Sequence, residues 1–189
     1  SWSIRPLERY MATYYYPLTT NETGDPTVRL LSYDTTPAPT SFAMRLPEHS
    51  TALQFGDHIQ LQGFTLPNGP LYAKGDHVPI TFFWKTEQSL AENYVMAWFV
   101  VKADNAHPPI QGHDSMPVAG FVPTATWQTG ELIYDNRALQ LPASLPSGEY
   151  RIWVAIYPAG NSAERLTGSG PEVIDATLGV LPISLEIAD

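Results

Sequence analysis

The sequence predicts an all-β fold: a two-sheet antiparallel β-sandwich, immunoglobulin-like or jelly-roll in connectivity, carrying an N-terminal extension. Three observations predict it. Runs of alternating or continuous apolar residues recur from Leu53 to the end of the chain, separated by Gly and Pro clusters. Only 15% of residues are charged, while aromatics reach 12% and there are 18 Pro and 13 Gly. Short strands joined by tight turns have this composition. No window carries an apolar stripe at helical spacing; the best candidate, Thr86–Glu92, is too short to stand alone.

Residues 1–50 differ from the remainder. Tyr14-Tyr15-Tyr16-Pro17 and the polar stretch Thr19–Pro26 lack sustained periodicity, and Pro37, Pro39 and Pro47 interrupt the segment again. Val28–Tyr33 and Phe42–Leu46 read as short strands within it. The segment is expected to pack on the main domain, which spans 51–189. Asn21-Glu22-Thr23 fits a glycosylation sequon, a tripeptide that also arises often by chance.

In the main domain, Ile59, Leu61, Gly63 and Thr65 alternate with Gln60, Gln62, Phe64 and Leu66. Val78, Ile80, Phe82 and Trp84 alternate with Pro79, Thr81, Phe83 and Lys85. Tyr94–Val101 is nearly all apolar, as suits a central strand covered on both faces. Leu132–Leu141, Glu149–Tyr157 and Leu178–Ile187 complete the strands. Asn68-Gly69-Pro70, Gly75-Asp76, Pro108-Pro109, Pro146-Ser147-Gly148 and Gly168-Ser169-Gly170-Pro171 supply turns between them.

At 189 residues the chain is large enough to fold without staples, and it contains no cysteine, so disulfides and thiolate chemistry are excluded. The formal net charge of −9, with ten Lys and Arg scattered along the chain, is wrong for nucleic acid or anionic lipid. No apolar run approaches the length of a membrane span, so no direct insertion by this chain is expected. The start at Ser1, without an initiator methionine, reads as a fragment of a longer protein.

Catalytic signatures are missing. There is no G-x-S-x-G elbow, P-loop or dinucleotide fingerprint. Glu131 and Asp135 would share a strand face, but four residues at ~3.3 Å each separate them by roughly 13 Å, beyond the spacing of a glycosidase pair. Caps and turn hydrogen bonds account more simply for Asp114, Glu131 and Asp135. His107 and His113 beside Asp114 match no strong metal pattern. A calcium ion on Asp114, Glu131 or Asp135 is a minority reading. The expectation is therefore no enzyme, no cofactor and no metal.

The aromatics carry more information. If Tyr150, Ile152, Val154 and Ile156 face the core, Arg151, Trp153, Ala155 and Tyr157 face away from it. Trp153 and Tyr157 then form either a platform for sugar rings or a face covered by the extension or a partner. Trp127, in a turn-rich stretch, is either a ligand contact or a lid over one end of the sandwich. The candidate ligand-binding residues are Trp127, Trp153 and Tyr157, assisted by Asp114 and Glu131.

One series of residues resembles a known family. It begins with Gly56-Asp57-x-Ile59-x-Leu61-x-Gly63-Phe64-x-Leu66 and Gly75-Asp76-x-Val78-x-Ile80-Thr81-Phe82-Phe83-Trp84. It continues through Gln111-x-x-Asp114-x-x-Pro117 and Gly120-x-x-Pro123-Thr124-x-x-Trp127-x-x-Gly130-Glu131. It closes with Asp135, Leu139-x-Leu141-Pro142, Leu145-Pro146-x-Gly148-x-Tyr150-Arg151, Tyr157 and Arg165-Leu166. From about residue 52 onward the chain resembles the extracytoplasmic C-terminal β-sandwich domain of bacterial multispanning glycosyltransferases of the dolichyl-phosphate-mannose protein mannosyltransferase type. In that family the catalytic aspartates lie in the membrane portion, so the resemblance implies an accessory domain, tethered outside the cytoplasm and partnered by the membrane portion of its own parent. Relatives carry a Phe-Val-His-Leu segment where this chain has Phe99-Val100-Val101-Lys102, so a ligand held by that His would be lost here. The alternative function is a protein–protein interaction or purely structural domain of a cell-surface protein. Most of the signature specifies turns and packing: Gly148 after Pro146 sets a turn, and Tyr150 then anchors the strand as a corner tyrosine does.

Overall fold

The structure, a computed structural model, describes residues 5–22, 29–35 and 46–189. The strand expected over 42–46 lies outside these residues but for Leu46, and so does Thr23 of the sequon. The chain is mostly β. Strands β1 (Tyr16–Glu22) and β2 (Arg29–Asp34) pair with each other in the extension. They are followed by β3 (His49–Phe55), β4 (Ile59–Thr65), β5 (Leu71–Ala73), β6 (His77–Thr86) and β7 (Tyr94–Lys102). Then come β8 (Ile110–Gln111), β9 (Ile133–Gln140), β10 (Gly148–Pro158), β11 (Gly168–Ser169), β12 (Val173–Ile174) and β13 (Leu178–Ala188). The long runs read from the sequence all become strands, because an alternating pattern can bury one face only in extended backbone.

Two sheets share one core. The first has the order β11-β3-β4-β6-β9; the second has the order β12-β13-β10-β7-β8, with β5 added on β13. Phe55 and Phe82 of the first sheet pack on Trp84, and Phe82 meets Trp98 of the second sheet edge to face at 6.0 Å between ring centres. Val100, Ile152, Val154, Ile156, Leu181 and Leu185 complete the apolar layer from the second sheet. Each of these side chains contributes about 1.5–3 kcal/mol by leaving water.

The structure corrects the sequence reading in two places. The extension opens on a helix, α1 (Pro6–Tyr14), where no periodicity is legible. Pro6 presets the first-turn backbone and lacks an N–H that would be unbonded there anyway. Nine residues cannot sustain a helix alone, so α1 depends on packing against β9, and its Ala12 is buried. The sheets are not purely antiparallel either: β5 runs parallel to the end of β13, with Leu71 opposite Glu186. Strand β3 begins at His49 and pairs with β4.

Burial on both faces of β6 has a local cause. Pro79, Thr81 and Phe83 point away from the core, yet all are buried. The extension packs on β6 at Thr81, and Tyr134 of β9 meets the Phe83 ring edge-on at 5.3 Å. The Tyr16 hydroxyl lies 2.9 Å from Thr81 Oγ1, which donates to Asn136 Oδ1 at 2.8 Å, and Asn136 Nδ2 donates to the Thr13 carbonyl at 2.8 Å. This chain of bonds ties the extension to β6 and β9.

At one corner the sheets are joined by a buried ion pair. Arg137, on β9, donates from Nε to Asp135 Oδ2 at 3.0 Å. Its Nη1 donates to the carbonyls of Met96 and His113, and Nη2 to that of Ser115. Asp135 accepts from the Val118 N–H at 2.8 Å and from Trp84 Nε1 at 3.3 Å. Asp135 is therefore neither a turn cap nor a calcium ligand, as read from sequence, but half of a brace from β9 to β7 and the 113–118 segment.

Tyr150 behaves as a corner tyrosine. Its ring is buried and its hydroxyl donates to the Pro146 carbonyl at 2.7 Å. Tyr150→Phe is expected to cost about 1 kcal/mol, the usual worth of one such hydrogen bond. Urea denaturation should show a lower midpoint at unchanged slope.

Candidate functional site

The site grows from the register of the second sheet. Trp153 on β10 pairs with Val180 on β13 and with Phe99 on β7, and Phe99 pairs with Gln111 on β8. Because side chains alternate between faces, Trp153, Phe99, Tyr157 and Gln111 share the face turned away from the core. Ala97, Ala155 and Leu178 lie buried among Phe99, Trp153 and Tyr157, forming a small apolar cluster separate from the main core. The three aromatics themselves are half-buried. Small residues beneath large flat ones leave the rings presented outward.

Polar groups flank the rings. Tyr157 donates its hydroxyl to Asp114 Oδ2 at 2.8 Å, and Gln111 Nε2 donates to the same oxygen at 2.8 Å. Asp114 Oδ1 is enclosed and has no hydrogen-bond partner in the protein. The Arg165 guanidinium sits 6.0 Å from the centre of the Phe99 ring, at cation–π range. Asp114 is held in place indirectly, since the carbonyls of its neighbours His113 and Ser115 are clamped by Arg137. Gly112 is required beside it: its N–H donates to the Trp98 carbonyl at 2.9 Å, and a Cβ there would collide with the Trp98 indole.

Burial, and then the hydrogen bond to Asp114, push the Tyr157 phenol up from 10.0 to about 12. A group whose folded pKa exceeds its unfolded value contributes stability that is complete below the unfolded value. That contribution is lost as pH rises through the folded one. Tyr157 thus stabilises the fold below about pH 10 and ceases to do so towards pH 12. Spectrophotometric titration of the wild type against Tyr157→Phe should show that the phenol removed is one ionising near pH 12 and not near pH 10.

Of the residues singled out from sequence, the structure brings together Trp153, Tyr157 and Asp114. Trp127 and Glu131 lie elsewhere. The Trp127 indole is only 3% exposed and its Nε1 donates to the Val122 carbonyl at 3.1 Å, so it closes the core as a lid and presents no face to a ligand. Glu131 is exposed and accepts from the Gln128 N–H at 3.3 Å, a turn contact. Phe99, Gln111 and Arg165 were not foreseen. The described part of the extension packs on β6 and β9 of the other sheet, so it does not cover Trp153. Among the described residues no three His, Cys, Asp or Glu side chains converge as metal ligands, and no helix is long and apolar enough to cross a membrane.

No protein-family model and no curated protein sequence matches the chain. Solved structures to which the chain is similar include the C-terminal domain of wzt, at 9% identity and a TM-score of 0.46, over 76% of this chain and 83% of that one. AvmM, which catalyses macrocyclisation in alchivemycin A biosynthesis, is similar at 10% identity and 0.42, over 76% and 96%. A Niemann-Pick type C2 protein from Japanese carpenter ant is similar at 10% identity and 0.39, over 76% and 98%. At such identities and scores these likenesses carry no argument about fold, ligand or activity.

Proposed function

We propose that this chain is a non-catalytic, immunoglobulin-like β-sandwich module that contacts glycan through the Trp153 face, serving as an extracytoplasmic accessory domain of a membrane glycosyltransferase. The connectivity supports the immunoglobulin-like form over the jelly-roll. Strands β4, β6 and β9 lie side by side in one sheet, and β7, β10 and β13 in the other. That is the A-B-E and C-F-G arrangement, with β3 and β8 as additions. The buried Trp98 on β7 then occupies the place of the strand C tryptophan. Tyr150, near the start of β10, takes that of the strand F corner tyrosine.

The observation that carries the glycan reading is the composition of one open face. Trp153, Phe99 and Tyr157 present flat rings, and Asp114, Gln111 and Arg165 surround them with planar polar groups. Sugars offer apolar C–H faces to aromatic rings and hydroxyls to carboxylates, amides and guanidinium groups. The glycosyltransferase association rests on the sequence resemblance, which places the membrane portion of the parent protein as the standing partner. A glycan-array screen of the purified domain beside Trp153→Ala tests the reading. Binding that the substitution abolishes supports it. A folded protein that binds no glycan refutes it, and the aromatic face is then better explained as a protein-docking surface.

A further inference from the structure

Resting on the glycan reading above, we infer that a groove beside the Trp153 face is a second subsite, so that the chain takes an oligosaccharide lengthwise instead of a single terminal ring. The groove, about 440 Å³ in volume, lies where β12 and its preceding turn pass alongside β13. Arg151, Val180 and Ser184 form one side, and Pro171, Glu172 and Ile174 the other. It opens there because the β10–β13 ladder shifts register between Arg151 and Trp153, leaving residues 181–183 outside the ladder as a bulge.

Continuity with the aromatic face follows from register. Val180, in the groove wall, is the cross-strand partner of Trp153, and Arg151 precedes Trp153 by two residues on the same face of β10. From Tyr157 back to Arg151 the strand covers six residues, roughly 20 Å at ~3.3 Å per residue. A single sugar ring cannot reach both ends.

Hydrogen-bonding capacity left open in the groove names the ligand chemistry. Glu172 Oε2 is enclosed and has no donor. The groove's guanidinium, Arg151, is exposed and lies in no ion pair among the described residues. Ser184 is already committed, its hydroxyl donating to Glu149 Oε1 at 2.5 Å. Glu172 itself is fixed, since its carbonyl accepts from the Val180 N–H at 2.7 Å. One wall thus lacks a donor and the other an acceptor. Vicinal hydroxyls do both at once, donating to Glu172 and accepting from Arg151. Enclosed polar atoms in folded proteins are ordinarily satisfied, so an orphan carboxylate oxygen on a residue that lines a groove marks where a ligand hydroxyl belongs.

The test is calorimetric titration of the intact domain with glucose, mannose and N-acetylglucosamine oligomers of one to six rings. In whichever series binds, three or more rings should bind at least tenfold more tightly than the monosaccharide. Glu172→Gln and Arg151→Gln should each remove about tenfold of that gain, the scale of a charge-assisted hydrogen bond, while leaving the monosaccharide affinity and the melting temperature unchanged. Equal affinity for one ring and for six, or variants that weaken every length alike, would overturn the groove subsite and leave the Trp153 face standing. Failure of every member to bind would overturn both.

Discussion

Replacing Arg137 by alanine is expected to destabilise the domain by about 3–5 kcal/mol, the usual cost of leaving one member of a buried ion pair alone. Asp135 is fully buried and Arg137 is 4% exposed, so water cannot replace the missing partner. The loss extends beyond the pair, because Arg137 also satisfies the carbonyls of Met96, His113 and Ser115. For a domain of this size the melting temperature should fall on the order of 10 °C. Hydrogen exchange should quicken first in the 111–120 segment, which the guanidinium holds against β9. Asp114 lies in that segment, so any ligand affinity that depends on it should fall as well. Asp135→Ala should destabilise comparably, and the double substitution by much less than the sum, since the two residues act as one unit. Additive losses from the two substitutions would show that the brace is not a unit.

What the sequence made legible and what it hid divide along a physical line. The long strands announce themselves because period-2 alternation is a property of consecutive residues. The Trp153 and Tyr157 pairing on one face follows from the same count along β10. Phe99 and Gln111 could not be added to that face, because their place depends on the register of β7 and β8 against β10. Residues Asp135 and Arg137 stand two apart on one strand, a spacing that equally suits an exposed pair. Only the approach of the 113–118 segment buries them and turns a nominal turn carboxylate into a brace. The helix α1 was hidden for the opposite reason: its weak local pattern forms only because β9 receives it. Trp127 illustrates a third limit. Its turn-rich neighbourhood suits either a ligand contact or a lid, and only the Pro123–Thr126 turn, which folds the indole inward to bond Val122, selects the lid.

The two tryptophans set apart by the structure should separate in experiment as stability and binding separate. Trp127→Ala removes a buried indole from the core and leaves the Val122 carbonyl without its donor. Truncations of this kind cost about 3–5 kcal/mol, since the surroundings collapse only in part around the void. Its effect on any ligand should be no larger than the fraction unfolded explains. Trp153→Ala acts on a half-buried ring over Ala97, Ala155 and Leu178, away from the main core. Its cost should stay near 1–2 kcal/mol, because only part of the side chain leaves water on folding. Ligand affinity, in contrast, should fall at least tenfold, since truncating a tryptophan at the centre of a binding face commonly costs about 2 kcal/mol or more. Denaturation midpoints and binding isotherms measured on both variants decide the matter. If Trp127→Ala abolished binding in a protein still fully folded, and Trp153→Ala left it intact, the ligand face would have to be moved to the far end of the domain.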